Sequence, residues 1–291
     1  MHKSSVYLPQ ELKDRLAGVA VRSGRSEADL IRSAIEQLVS SGPSPVSVDL
    51  RPIDVVRPSL LGVGMGPGDP ALVTARARGI IAVADRVIVL TTDVRSVGRA
   101  EMVVRAVAPD APVRRVPFAI GADDSARRRS LLDLADAVAA GTDAGEAVAV
   151  AMLGDPSQWT TFPALAAELA VQRPELHIEG VAGISSYQNA AAHGNIALGA
   201  AGAPLIVVDN VVDLDVFLAR GDATVVLFKA ATDAEALQQV AASRHRDGVV
   251  AELIGLPGER TTSIGALAPG PISYLATVVF PAASRDRAVV R

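Results

Sequence analysis

The sequence predicts an α/β protein with a largely parallel sheet, preceded by a small strand-helix-turn-helix module. Short Val/Ile/Leu-rich runs alternate with Ala-rich helical stretches from residue 58 onward, the order of elements that builds parallel sheets covered by helices. Glycine-containing loops close several of those runs. Residues 1–42 follow a different pattern and are set off by the proline-dense stretch 43–57.

In the N-terminal module, residues 3 to 8 alternate, which places Val6 and Leu8 on one face of a strand and Lys3, Ser5 and Tyr7 on the other. Pro9 suits the first position of a helix whose apolar face carries Leu12, Leu16, Val19 and Ala20. A turn at Ser23-Gly24-Arg25 follows. Ser26 with Asp29 reads as a capping box that opens a second helix, striped by Leu30, Ile31, Ala34, Ile35, Leu38 and Val39. A unit of this size buries too little surface to stand alone, so it is expected to dimerise. Residues 43–57 read as an extended linker, rich in Pro, Ser and Val and without a helical period.

The α/β part, 58–291, opens with a strand at Leu60-Leu61-Gly62-Val63-Gly64, a helix from Leu72 to Ala84 and a strand at Arg86 to Leu90. It continues to the apolar run Ala147 to Leu153, which ends a first subdomain, 58–153. A second, 154–291, has strands near Pro204 to Asp209, Ala223 to Lys229, Val249 to Ile254 and Ile272 to Phe280. No clear crossover helix joins the last two, which predicts a mixed sheet.

The 291 residues are 49% apolar and 21% charged, the balance of an ordinary folded protein, and the net charge of −4 provides no global basic field for nucleic acid. The absence of Cys excludes disulfides, thiolate nucleophiles and zinc-thiolate sites. No stretch has signal-peptide or membrane-span character, so a cytoplasmic protein with no membrane contact is expected.

Chemistry concentrates in three loops. Gly62-Val63-Gly64-Met65-Gly66-Pro67-Gly68-Asp69-Pro70 follows a strand and precedes a helix. Gly154-Asp155-Pro156-Ser157-Gln158-Trp159-Thr160-Thr161-Phe162 and Gly183-Ile184-Ser185-Ser186-Tyr187 repeat that placement. Glycine loops at the carboxyl ends of strands are where open α/β sheets bind ligands. Prolines in the first loop argue against a pyrophosphate cradle, which needs free N–H groups.

This triple, in this order and spacing, resembles the tetrapyrrole methylases, with a G-x-G-P-G-D loop, a G-D-P loop and a G-I-S-S loop. Within that family, G-D-P-S followed by an aromatic and T-T-F looks most like the branch that methylates C-20 of precorrin-2 or of its cobalt-containing counterpart. Val225 to Lys229 and Ser273-Tyr274-Leu275 also fall where that branch has strands. The sequence departs at Trp159, where a Tyr is usual, at Ala182, where a Pro is usual, and at Gln188-Asn189, where small residues are usual. The last pair would reshape the substrate pocket.

The resemblance implies S-adenosylmethionine as cofactor, a tetrapyrrole substrate and no metal. It places the cofactor against Gly66 and Pro67, against Gly154, Asp155 and Gln158, against Ser185 and Ser186, and against Phe228 and Lys229. Asp69 is the candidate catalytic residue, to orient the macrocycle or accept a proton, with capping of the next helix as its alternative role. Arg114, Arg115 and Arg127 to Arg129 are candidates for the carboxylates of a corrin precursor.

The N-terminal module resembles ribbon-helix-helix proteins, which implies a homodimer and, through Lys3, Ser5 and Tyr7, contact with DNA in the major groove. Its charges are nearly balanced, which fits a pure dimerisation role equally. Three functions therefore follow: a corrin-pathway methyltransferase, a DNA-binding regulator that senses the cofactor or a corrinoid, or a methylase with a different acceptor.

Overall fold

The computed structural model describes residues 9–40, 53–119, 123–199, 202–209, 211, 213–230, 232–256 and 258–282. The chain divides into two compact units, Met1–Pro52 and Ile53–Arg291. The expected strand at 3–8, with Lys3, Ser5 and Tyr7, lies outside the described residues, as do linker residues 43–52.

In the first unit α1 (Gln10–Ser23) begins one residue later than expected, with Pro9 at its N-cap, and ends on Gly24 at φ 66°, a left-handed position that glycine takes without steric cost. Before α2 (Glu27–Ser40), the Ser26 hydroxyl accepts the Asp29 N–H at 3.1 Å and donates to its carboxylate at 2.7 Å. The pair leaves Leu12 47% and Ile35 47% exposed, and no side chain described in this unit is buried.

The second unit contains two five-stranded sheets. The first is built from β1 (Ser59–Gly64), β2 (Arg86–Thr91), β3 (Val113–Pro117), β4 (Ala147–Met152) and β5 (His177–Val181), in the order β3-β2-β4-β1-β5 with every pairing parallel. Alternate residues feed opposite faces. Leu61, Val63, Val87 and Val89 pack with Ile80 and Ile81 of α3 (Ala75–Val83) and Val103 and Val104 of α4 (Arg99–Val107). Leu60, Ile88, Val148 and Val150 pack with Leu134 and Val138 of α5 (Asp124–Thr142) and Leu165 and Leu169 of α6 (Phe162–Gln172).

The second sheet, β6-β7-β10-β8-β9, contains β6 (Leu205–Val208), β7 (Thr224–Phe228), β8 (Val249–Glu252), β9 (Arg260–Ser263) and β10 (Ala276–Phe280). It is mixed, as expected: β6 and β7 are parallel, whereas β10 runs antiparallel to both β7 and β8. Its core joins α8 (Leu214–Leu218) and α9 (Ala234–Ser243) on one face, and α7 (Ser186–His193) packs Tyr187 and Ala190 on the other. Because α7 leaves β5 of the first sheet and lies on the second, it couples the two.

Three expectations are corrected, and one strand appears that the sequence did not suggest. The division between sheets falls after Val181, not at 153/154, because β5 returns to pair with β1. Ile53 and Val55, assigned to the linker, pack into the first core, and Arg57 pairs with Asp85 at 2.6 Å. The helix predicted at 72–84 splits into a 3-10 turn at Pro70–Leu72 and α3, because Thr74 caps α3 by accepting the Ala77 N–H. Finally β9, polar and mostly exposed, carries no apolar alternation; it is an edge strand anchored by the Arg260–Glu252 ion pair.

Candidate functional site

All five strands of the first sheet are parallel, so their carboxyl ends share one edge. There the loops after β1, β4 and β5 interlock through main chain. Met65 N–H donates to Met152 O at 2.8 Å, and Gly154 N–H to Gly66 O at 2.7 Å. A Cβ on Gly183 would stand 2.1 Å from Gly154 O and 2.9 Å from Gly64, so this approach excludes any side chain. Gly154 itself has open space around its Cβ position but a φ of +75°.

Asp155 staples the second loop to the third. Its carboxylate accepts the Ser157 N–H at 2.9 Å and the Gly183 N–H at 3.0 Å, along with the Ser157 hydroxyl. Burial pushes this carboxyl up, but those hydrogen bonds outweigh it and hold the group below the usual carboxylate range. Buried Ser185 donates to Gln158 Oε1 at 2.8 Å, and Gln158 Nε2 reaches the Tyr187 hydroxyl at 3.3 Å. Ser186 and Thr277 hydroxyls lie 2.7 Å apart, which ties the third loop to β10.

Across from these loops, the second sheet presents the carboxyl ends of β7 and β8 together with the amino end of antiparallel β10. Between the two edges lies a cavity of about 1020 Å³. Phe228, Ile254, Leu256 and Tyr274 line it from the second sheet. Buried Glu252 accepts the Ser273 N–H at 3.1 Å and so holds the segment that carries Tyr274. The Trp159 and Phe228 rings are 5.4 Å apart, and Lys229 Nζ donates to Trp159 O at 2.6 Å across the gap. Trp159, Lys229 and Leu253 all line the cavity with positive φ (48°, 58° and 51°), backbone conformations that persist where surrounding structure enforces them and that cluster at ligand sites.

Of the residues expected to hold a cofactor, Pro67, Gly154, Asp155, Gln158, Ser186, Phe228 and Lys229 line this cavity. Gly66 and Ser185 stand behind them, one in the backbone bridge to Gly154 and the other bonded to Gln158. Asp69 does not line it: the side chain is exposed and accepts the Ala71 N–H at 2.8 Å, so it caps the 3-10 turn. The expected pocket role of Gln188 and Asn189 is also corrected, since neither lines the cavity. Gln188 Oε1 accepts the Ser185 N–H at 2.8 Å and opens α7, while Asn189 is buried within that helix.

Arg115 is taken up by Glu101, whose side chain is 0% exposed, through contacts of 2.6 and 2.9 Å; a buried carboxylate needs such a partner. Arg127 and Arg128 line the cavity, as does Arg99, which sequence reasoning missed. Its one signal was an Arg in the first turn of a helix, where the helix dipole disfavours a cation. Among the described residues no group of three His, Asp or Glu side chains could hold a metal ion, and no helix is long and apolar enough to cross a membrane.

Residues 59–268 match the family of tetrapyrrole (corrin/porphyrin) methylases. The chain belongs to this family. It is 34% identical over 134 residues to a precorrin-2 C(20)-methyltransferase from a Sinorhizobium species, a stretch that spans 43% of this chain and 55% of that relative. Among solved structures, a cobalamin-synthesis-related protein from Corynebacterium diphtheriae superposes with TM-score 0.60 at 18% identity, covering 78% of this chain and 99% of its own. A cobalt precorrin-4 methyltransferase gives 0.58 at 18% identity over 77% and 95%. A uroporphyrin-III C-methyltransferase from Thermus thermophilus, complexed with S-adenosylhomocysteine, gives 0.50 at 21% over 77% and 97%. At these identities the likeness is one of fold, and the α/β fold expected from the sequence is the tetrapyrrole methylase fold.

Proposed function

We propose that the second unit is an S-adenosylmethionine-dependent C-methyltransferase acting on a tetrapyrrole of cobalamin biosynthesis, with C-20 of precorrin-2 as the methylated position. The observation that carries this is the cavity itself, in which three interlocked glycine loops face an aromatic and aliphatic wall in a chain of this family. The partial identity to the Sinorhizobium enzyme supports the C-20 assignment.

The residues present fit the cofactor. Phe228, Ile254 and Leu256 offer a flat apolar surface suited to adenine, the Gly154 loop and Pro67 bring main chain close without side-chain bulk, and Gln158 and Ser186 supply polar groups. When bound, S-adenosylmethionine supplies an electrophilic methyl on a sulfonium. The protein's task is to hold an electron-rich ring carbon in line with that methyl and to exclude water. Orientation of this kind accounts for much of a transfer barrier and requires no strong catalytic side chain. The staple through Asp155 and the Ser185–Gln158–Tyr187 chain keep the loops at one spacing, and the Lys229–Trp159 contact closes the cavity's edge.

Transfer of labelled methyl from S-adenosylmethionine to precorrin-2, with one methyl added at C-20, is the expected result. Cofactor binding without transfer to precorrin-2, but with transfer to another acceptor, would overturn the substrate assignment alone.

For the first unit we propose a homodimer, on the exposure of Leu12, Val19 and Ile35 across its helices. Sedimentation of the full chain and of a truncation lacking residues 1–52 should show an N-terminal contribution to self-association. A selection from random duplexes tests DNA contact through Lys3, Ser5 and Tyr7; an enriched palindrome lost on their triple replacement by Ala is expected, and no enrichment leaves the unit an assembly device.

A further inference from the structure

The two walls of the cavity differ in charge. Four cations line it, Arg99, Arg127, Arg128 and Lys229, and Asp124 and Asp155 are the acidic residues among the lining. Asp155 is committed to Ser157 and Gly183, and Lys229 to the Trp159 carbonyl. All three arginines belong to helices of the first sheet and line the cavity from that side, Arg99 at the start of α4 and Arg127 and Arg128 near the start of α5. Facing them are Phe228, Ile254, Leu256 and Tyr274.

The arginines also differ in how far they are engaged. Arg127 meets Asp124 at 2.8 Å and Arg128 meets Glu168 at 2.8 Å, both at the solvent boundary with the arginine side chains more than half exposed. A guanidinium has five N–H donors, so one such contact leaves most of them available; the Arg127–Asp124 pair, exposed on both sides, exchanges partners at little cost, whereas Arg128 keeps its contact with the largely buried Glu168 and offers its remaining donors. Arg99 has no hydrogen-bond or ion-pair partner among the described residues. Arg115, by contrast, is held in the buried pair with Glu101 and is not available.

We propose that Arg99, Arg127 and Arg128 form a carboxylate subsite that takes the acidic side chains of the substrate and so fixes which edge of a flat, polyacidic molecule faces the first sheet. This rests on the tetrapyrrole reading above and adds the orientation of the substrate. An amphiphilic disc with an acidic rim satisfies both walls in one arrangement: its carboxylates meet planar guanidinium forks, which suit bidentate pairing, and its face meets the aromatic wall. The opposite arrangement would set carboxylates against Phe228 and Ile254 with Lys229 as the one cation on that wall, and the surplus carboxylates would be buried unpaired, which is unfavourable.

The test uses binding without turnover. Uroporphyrin III, with eight carboxylates, and coproporphyrin III, with four, are titrated into the full chain by fluorescence, and S-adenosylhomocysteine is titrated separately by calorimetry. Arg99→Ala and Arg128→Ala are each expected to weaken uroporphyrin binding by about tenfold or more, the loss of a charge-assisted contact. The effect on coproporphyrin should be smaller, and S-adenosylhomocysteine affinity should stay unchanged, which also shows that the fold is intact. Arg129→Ala is the control: the sequence offered Arg129 as a carboxylate candidate, but it does not line the cavity and meets Ser125 instead, so this variant should bind both porphyrins as the wild type does. If the wild type binds uroporphyrin and both variants bind it equally well, the subsite is wrong while the substrate class stands. If the wild type binds neither porphyrin, the substrate reading fails and the subsite with it.

Discussion

The two sheets of the larger unit meet the same cavity by different routes. In the first, every strand is parallel, so five loops leave from one edge and can be packed against one another through bare main chain, as Gly183 is against Gly154. In the second, strand directions are mixed, and the facing edge is assembled from two strand ends and one strand start, which bring Phe228, Ile254 and Tyr274 as side chains. The first edge is shaped by backbone approach and hydrogen bonds, the second by ring and aliphatic packing. Substitutions should therefore fail differently on the two sides: sharply where backbone meets backbone, and by degrees where side chains meet.

The largest effect is expected at Gly183→Ala. Its new Cβ would overlap the Gly154 carbonyl, and neither backbone can yield without separating the loops. Binding of S-adenosylhomocysteine should fall by a hundredfold or more, on the order of 3 kcal/mol, and near-wild-type affinity by calorimetry would show that the interlock is not what forms the site.

On the second sheet, Phe280→Ala empties a fully buried position and should cost about 3–5 kcal/mol of stability. Phe228→Ala, at the cavity wall and only partly buried, should lower the unfolding midpoint less than Phe280→Ala and weaken cofactor binding as well. Equal destabilisation by the two in denaturant titrations would erase the distinction between core and wall.

A smaller effect is expected at Asp155. Because its folded pKa is depressed, its contribution is present above the ordinary carboxylate value of about 3.9 and is lost as pH falls through the folded value. Stability and cofactor affinity should thus be flat from pH 7 to about 5 and decline in more acid solution. Asp155→Asn keeps only one acceptor oxygen and should carry a constant loss of roughly 1 kcal/mol at neutral pH with a weaker acid decline. An unchanged acid limb in the variant would assign that limb to other carboxylates.

The smallest is Gly154→Ala, where space is open and only the left-handed backbone is strained, at about 1 kcal/mol. A loss as severe as that of Gly183→Ala would mean that the loop is held by more than its conformation.

Much of this was legible beforehand. The three glycine loops stand at strand ends because apolar runs stop where glycines begin, and seven of the nine expected cofactor residues reach the cavity: Pro67, Gly154, Asp155, Gln158, Ser186, Phe228 and Lys229. The failures share a cause. Asp69 could face a pocket or cap a turn, Arg115 could bind substrate or neutralise Glu101, and Gln188 could reshape a pocket or cap a helix; in each case the neighbour that decides is set by the folded backbone.

By itself the sequence determined what depends on near neighbours: the alternation of strands and helices, the cap at Ser26, the loops that tolerate close backbone, and the family to which they belong. Tertiary structure decided what depends on distant ones. It returned β5 to the first sheet, paired Glu101 with Arg115, left Arg99 open at the cavity, and set Gly183 against Gly154. The physical reason is that periodicity and backbone preference act over a few residues, whereas strand pairing, desolvated charge and main-chain contact join residues tens of positions apart, and their partners exist only once the chain has closed on itself.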